Sequence, residues 1–343
     1  MRNKIENTSA EGAKRRPTSS DVAAAAGVSK WTVIRAFDPN ASIADKSRER
    51  VLEEAAKLGY RPNLLARSLV TKTTNLVAVL VDDFTNVHKL PVLETLTLAL
   101  QEEGMAAVLI NINRRFDHLD ALLNAEQRQV DAVILLGTAF RNETLEKRST
   151  QEFSTPMYVL ARESTIESIP AVDCDADTSM AEIGEHLWVR GYRRPGYMSG
   201  PKTLSTALGR GLYFKQFWRS RGISEVMDMP IGSYDPVDSA NALREYLKVT
   251  PKEDRIDVLM CENDALAFGA IDVARYEFGL NIPEDLAVVG YDGNALAASN
   301  AFDLTTYEQP MELMVKALMN MLKGRIEPKS LTMKGRLVIR GST

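Results

Sequence analysis

Residues 21–37 read DVAAAAGVSKWTVIRAF, and residues 47–69 read SRERVLEEAAKLGYRPNLLARSL. Just upstream, Thr18-Ser-Ser-Asp21 has the form of a capping box: the Thr18 hydroxyl can accept from an orphan backbone amide, while Asp21 favours the positive end of a helix. In the short helix that follows, Val22 and Ala26 share one face. In Ala26-Gly27-Val28-Ser29 the glycine supplies the positive φ of a tight turn, Val28 packs inward and Ser29 caps the next helix. That second helix turns Val33 and Phe37 inward and leaves Lys30, Trp31 and Arg35 facing out. A third, over residues 47–58, repeats apolar residues at Val51, Leu52, Ala55 and Leu58 and stops at Gly59. Helix, turn, helix and a third supporting helix are therefore expected over residues 18–61.

The chain around this segment has 343 residues, with 42 Lys+Arg against 46 Asp+Glu and 45% apolar content. Such a composition builds ordinary globular cores and excludes disordered, collagenous and fibrous classes. The length suggests two or three domains, and no apolar run approaches the ~20 residues needed to span a bilayer. The N-terminal MRNKIENTSAEGAKRRP is charged and lacks the apolar stretch of a secretory signal, so a cytoplasmic, soluble protein is expected. Cys174 and Cys261 lie far apart and read as packed thiols, and His88, His118 and His186 show no metal-ligand spacing; neither metal nor cofactor is expected. Charge is unevenly spread. Residues 1–72 carry 14 Lys+Arg and 8 Asp+Glu, a net +6, whereas residues 73–343 carry 28 against 38, a net −10. A basic module on an acidic body suits a polyanionic partner, because cationic side chains displace counterions condensed on phosphates.

In the order AGVS turn, LGYRPN segment, ARSL hinge, the N-terminal residues resemble the headpiece and hinge of the lactose/galactose repressor family of bacterial transcription regulators. The resemblance implies a flexible basic arm (1–17), an all-α helix-turn-helix headpiece (18–61), a hinge (62–74) and an α/β periplasmic-binding-protein-like core (75–343). It implies that Lys30, Trp31 and Arg35 read bases. Lysine or arginine can donate to guanine in the major groove, and an aromatic can lie on a thymine methyl. Thr18, Ser29 and Thr32 resemble hydroxyls that anchor the DNA backbone. The hinge is too short for a stable isolated helix. In the family it folds on the operator, where a leucine matching Leu69 wedges into the minor groove and Asn63 and Ala66 line the same contact. This chain departs from the family at Ser19, Ile34 and Ala36-Phe37-Asp38, so the operator preference of a relative does not transfer.

Beyond residue 75, apolar runs alternate with helix-length segments: LVAVLV (76–81), AAVLI (106–110), AVILL (132–136), MYVL (157–160), VLM (258–260) and LAVVG (286–290). This βαβ rhythm implies parallel sheets covered by helices. The resemblance implies two Rossmann-like lobes, 75–172 with 305–327 and 173–304 with 328–343, joined by strands crossing near residues 173, 304 and 328 around a ligand cleft. Ligands of open α/β sheets sit beyond the carboxyl ends of the strands. Candidates there are Arg162 at the end of the fourth strand, Asn263 and Asp264 in CENDALAFGA, and Asp292 in VVGYDG. The resemblance adds Asp83 and Asn86, which resemble the family's D-x-T-N run, with His88 in place of its usual aromatic, Arg210 in GRGLYFKQF at the position of the family's effector-binding arginine, and Tyr234, which matches an aromatic that stacks on a sugar face. Amides, carboxylates, an aromatic and arginine suit a polyhydroxylated, carbohydrate-like ligand, and the Arg162/Arg210 pair could equally clamp a carboxylate or phosphate. Asp83 reads either as a ligand contact or as the residue closing a turn, and one of Asn263 and Asp264 as a helix cap.

The expected function is a sequence-specific DNA-binding regulator, most simply a repressor. It acts as a homodimer on a pseudo-palindromic operator in double-stranded DNA, with its affinity set by a small-molecule effector between the lobes. No membrane partner is expected, and the end of the chain after LVIRGS leaves no room for a heptad tail. A solute-binding protein is the alternative, disfavoured by the headpiece. A nucleotide-dependent enzyme is not expected: Gly209-Arg-Gly211 lacks the third glycine of a dinucleotide fingerprint, and no P-loop or nucleophile elbow appears.

Overall fold

The computed structural model describes residues 15–38, 41–62, 68, 73–84, 86–112, 118–137, 155–164, 166–201 and 206–343. The start of the basic arm and Asn63, Ala66 and Leu69 of the hinge lie outside the described residues. Contacts divide the chain into two units, residues 1–74 and 75–343.

In the first unit, α1 (Ser19–Ala26), α2 (Lys30–Ala36) and α3 (Asp45–Leu58) enclose a small core of Val22, Ala23, Ala26, Val33, Ala36, Val51 and Ala55. Thr18 and Asp21 form the reciprocal capping box expected from their spacing, and Gly27 and Gly59 end α1 and α3 with φ of 60° and 68°. Helix α3 begins two residues before the expected position 47, and no side chain caps its start. Val33 is fully buried, and Phe37 packs on the cluster edge-on to Tyr60, with ring centroids 5.7 Å apart. Arg48 of α3 donates to the carbonyls of Ala36 and Asp38 (2.9 Å each) and Ala41 (2.8 Å), tying down the end of α2 and the loop after it.

The second unit contains two sheets of the same winding. In the first, β1 (Leu76–Val81), β2 (Ala106–Asn111), β3 (Ala132–Leu136), β4 (Met157–Leu160) and β6 (Ala171–Cys174) lie in the order β2-β1-β3-β4-β6, all parallel, with β13 (Leu331–Met333) parallel to β6. In the second, β7 (Pro195–Ser199), β9 (Met227–Pro230), β10 (Val258–Cys261), β11 (Ala287–Asp292) and β12 (Thr305–Glu308) repeat that order as β9-β7-β10-β11-β12, and β14 (Arg336–Val338) closes the edge antiparallel to β12. A two-stranded ladder pairs β5 (Glu163–Ser164) with β8 (Thr206–Ala207). Helices between the strands include α4 (Lys89–Glu102), α5 (His118–Gln127), α6 (Ala176–Val189), α7 (Arg210–Ser220), α8 (Pro236–Val249), α9 (Asp264–Asp272) and α10 (Met311–Leu322). Strands β1, β3, β4, β10 and β11 are almost wholly buried, as expected for parallel sheets covered on both faces. Trp218 of α7 is the largest fully buried side chain, and both cysteines are buried.

The strand positions correct the expected lobe boundaries. Residues 305–308 belong to the second sheet and 331–333 to the first, so the chain passes between sheets after Cys174, between Glu308 and Met311, and between Met333 and Arg336. The crossings expected at 304 and 328 fall short because β13 and β14 are three-residue, partly exposed strands without an apolar run to announce them. Gly335 sits in the last crossing, where a Cβ would lie 2.2 Å from the Glu308 carbonyl oxygen, so a side chain there would force the strands apart.

Arg48→Ala should weaken the headpiece by roughly 1–2 kcal/mol, since it removes charge-assisted bonds to three carbonyls. Hydrogen exchange of α1–α3 in the full chain should speed up while that of the core strands stays unchanged.

Candidate effector cleft

Beyond the carboxyl ends of both sheets lies a solvent-open cleft. Most of its lining residues sit at or just beyond the carboxyl end of a strand. Asn86, His88 and Lys89 come after β1, Gly137 after β3, Arg162 after β4, Tyr234 after β9, Asn263 after β10, Asp292 ends β11, and Gln309 follows β12. Arg210 opens α7, next to Gly209, which takes φ +65°.

Arg210 is the centre of the second sheet's contribution. Its guanidinium lies 3.6 Å over the Tyr291 ring, donates to the Glu262 carbonyl at 2.7 Å and sits 3.7 Å from Asp292 Oδ1. Burial by itself depresses its pKa, but Tyr291, Asp292 and Glu262 more than offset this and raise it. Asp292 takes φ +118°, which an L side chain rarely adopts, and Gln309 Nε2 holds its Oδ1 at 2.8 Å. Glu262 accepts from the Tyr234 hydroxyl (2.9 Å), the Tyr197 hydroxyl (3.2 Å) and the Gly200 amide (2.6 Å).

On the facing side, Lys89 is buried and donates to Asp82 (3.1 Å) and the Leu136 carbonyl (3.0 Å). Burial lowers its pKa, and Asp82 works against that. Arg162 donates to the Tyr234 hydroxyl at 3.0 Å. His88 Nδ1 stands 4.0 Å from Asp292 Oδ2, and its pKa is lowered by burial despite Asp292, so the ring is neutral near pH 7. Two buried atoms in this wall, His88 Nε2 and Gln309 Oε1, have no hydrogen-bond partner among the described residues.

Of the nine core residues singled out in the sequence, Asn86, His88, Arg162, Arg210, Tyr234, Asn263 and Asp292 line the cleft. Asp83 and Asp264 do not. Asp83 has φ +45°, and its carbonyl accepts from the Asn86 amide at 3.3 Å, which closes the turn after β1. Asp264 is shut inside, accepting from the Thr306 hydroxyl and the Asn294 amide at 2.6 Å each, and burial pushes its carboxyl well above the usual range. Asn263 is the helix cap, its Oδ1 accepting from the Leu266 amide at 3.0 Å. Tyr234 is also more enclosed than a sugar-stacking platform: its hydroxyl is engaged and its ring fills the space where a Cβ on Gly200 would stand. Lys89, Gln309 and Glu262 were not singled out. The strand-end rule could have found Gln309, which directly follows a strand.

In the headpiece, Trp31 on α2 is 58% exposed. Arg35 donates to the Ser42 carbonyl, and Lys30 is exposed. Thr18, Ser29 and Thr32 are engaged locally: Ser29 Oγ accepts from the Thr32 amide at 3.0 Å and meets Thr32 Oγ1 at 2.9 Å, and Thr18 Oγ1 meets Asp21 Oδ2 at 2.7 Å.

Comparison with known proteins gives the same two-part division. Residues 18–63 match the description "Bacterial regulatory proteins, lacI family", and residues 185–343 match "Periplasmic binding protein-like domain". The chain is 30% identical to the ribose operon repressor of Halalkalibacterium halodurans over 92% of each chain. It is 26% identical, with TM-score 0.67, to a transcriptional regulator CelR–cellobiose complex, over 96% of this chain and all of that one. A lac repressor dimer bound to operator and the anti-inducer ONPF has the same fold at TM-score 0.81 and 22% identity, covering 96% of this chain and 99% of that one.

Because the native protein holds His88 below its ordinary value of 6.5, the unfolded chain takes up that proton first as the pH falls. The stability His88 contributes is therefore present above about pH 6.5 and lost below it. The thermal midpoint of the wild type minus that of His88→Gln should fall between pH 8 and pH 5.5; a constant difference would contradict the largely buried, neutral ring.

Proposed function

As the chain belongs to the lacI family of bacterial regulatory proteins, we propose that the cleft is its effector site, and that a hydroxylated small molecule held there sets the operator affinity of paired headpieces. The protein is a DNA-binding transcriptional regulator. The observation that carries the cleft assignment is the pair of buried orphan atoms, His88 Nε2 and Gln309 Oε1, beside Asp292 and Arg210. Leaving buried polar atoms unsatisfied is costly, and ligand hydroxyls, each both donor and acceptor, complete such a set. Arg210 and Asp292 bind the hydroxyls most directly, Asn86, Asn263 and Tyr234 shape the wall, and Lys89 is held in place by Asp82. The ribose and cellobiose in the names of the two relatives make a carbohydrate the first class to test.

The effector acts by linkage. Each sheet contributes one wall of the cleft, so a ligand that prefers one lobe arrangement over another shifts their populations. If only one arrangement spaces a dimer's two hinges for the operator, ligand and DNA affinities are coupled. In that reading Lys30, Trp31 and Arg35 read bases, Thr18, Ser29 and Thr32 combine helix capping with backbone contacts, and Asn63, Ala66 and Leu69 make the minor-groove contact. The exposure of Trp31, costly for a large aromatic, supports its role. The protein works in the cytoplasm, where its DNA is, and performs no catalysis.

Trp31→Ala should weaken operator binding roughly tenfold or more, within the ~1–3 kcal/mol of a base contact, as read by footprint titration at fixed salt. Arg210→Ala should abolish the effector-induced change in operator Kd. An unchanged ratio of operator affinities with and without effector would remove Arg210 from the site.

A further inference from the structure

Arg162 is 8% exposed, and its position is built. Strand β4 ends at Leu160, Ala161 takes φ +63°, and the β5–β8 ladder begins immediately after Arg162. A left-handed alanine is unfavourable and persists only where its surroundings hold it there. Among the described residues, the guanidinium held in this way makes one hydrogen bond, to the Tyr234 hydroxyl. That satisfies one of its five donors.

Among the described residues, no carboxylate pairs with Arg162. The acids around the cleft are committed elsewhere: Asp82 to Lys89, Asp292 to Gln309 and Arg210, and Glu262 to two tyrosine hydroxyls and the Gly200 amide. The cleft wall itself carries Lys89, Arg162 and Arg210 against Asp292 alone. A buried guanidinium without a counter-charge is unfavourable, and its planar fork matches the paired oxygens of a carboxylate or phosphate. We infer that the effector carries an oxyanion, a carboxylate or a phosphate ester, on its hydroxylated scaffold, and that this group seats against Arg162.

The inference rests on the cleft being the effector site and makes that reading more specific. The orphan atoms at His88 and Gln309 receive the hydroxyls, and Arg162, with Lys89 adding positive potential, receives the charge. Tyr234 links the anion seat to the second sheet, accepting from Arg162 and donating to Glu262. Arg162 thereby bridges a ligand on one side and the Glu262–Arg210 cluster on the other.

The test is a thermal-shift series on the full chain. Hexoses and pentoses are each compared with their uronic or aldonic acids and their phosphate esters, with inorganic phosphate as a further arm, and every compound that shifts the midpoint is then titrated against operator binding. The expected result is a rise of about 4 °C or more for at least one anionic member at concentrations well above its Kd, against a much smaller rise for its neutral parent. The carboxylate and phosphate arms identify which oxyanion is used. Arg162→Gln should erase the difference between anionic and neutral partners and raise the midpoint of the ligand-free protein, because a buried charge without a counter-charge is gone; a merely structural arginine would lower it. Arg162→Lys, which keeps the charge but loses the fork, should fold and retain a weakened anion response. Neutral sugars that shift the midpoint as much as their acids and esters, equally in wild type and Arg162→Gln, would overturn the oxyanion while leaving the cleft reading intact. Failure of every compound to change either midpoint or operator binding, with the operator footprint present, would overturn both.

Discussion

A guanidinium withdrawn from water must be surrounded by groups that replace its hydration, and the core is arranged around that demand at Arg210. The ring of Tyr291 lies beneath it, the Glu262 carbonyl accepts from it, and Asp292 supplies the opposing charge. These partners come from β11 and from the turn after β10, so one side chain fixes the carboxyl ends of neighbouring strands. Tyr291 in turn stacks on Tyr307 of β12, ring centroids 5.3 Å apart, which extends the same support to the strand preceding Gln309. A buried charge in a wall of this kind gives strength and direction to whatever binds beside it, because low polarisability around it leaves the field unscreened.

The second determinant is connectivity. Two sheets with the same strand order are joined by three passages of chain, and in the last of them only Lys334 and Gly335 separate a strand of the first sheet from a strand of the second. Such short links permit the lobes to change their relative orientation while each sheet stays intact, which is the hinge type of domain motion. A ligand touching residues from both sheets is therefore placed to bias that orientation. Its energetic effect is limited to the difference in its affinity for the two arrangements.

Much of this was legible in the sequence. Buried parallel strands are continuous apolar runs, so LVAVLV, AVILL and MYVL stood out; Arg162, Asn263 and Asp292 followed because strand ends are where α/β sheets bind ligands, whereas Asn86, Arg210 and Tyr234 were reached through the family resemblance. The headpiece was legible through its caps: Thr18, Asp21, Gly27, Ser29 and Gly59 each do locally what their chemistry dictates. What escaped was set by tertiary packing. Asp264 turns inward because Gly290 leaves room for its carboxyl; a Cβ there would stand 2.1 Å from its Oδ1. Lys89 looks like an ordinary surface lysine until Asp82 and the Leu136 carbonyl surround it. Arg48 supports α2 through carbonyls that no sequence spacing marks. Strands β13 and β14, short and partly exposed, carry no periodic signal, so the crossings could be placed only approximately.

Under the proposed linkage, cleft and headpiece share one equilibrium, and thermodynamic reciprocity tests this directly. With an effector from the cleft series, its Kd is measured on the free dimer and on the dimer saturated with operator, and operator Kd is measured with and without saturating effector. Linkage requires two equal ratios, each expected to differ from one by about fivefold or more. Effector binding that is indifferent to operator, with both ratios equal to one, would contradict it.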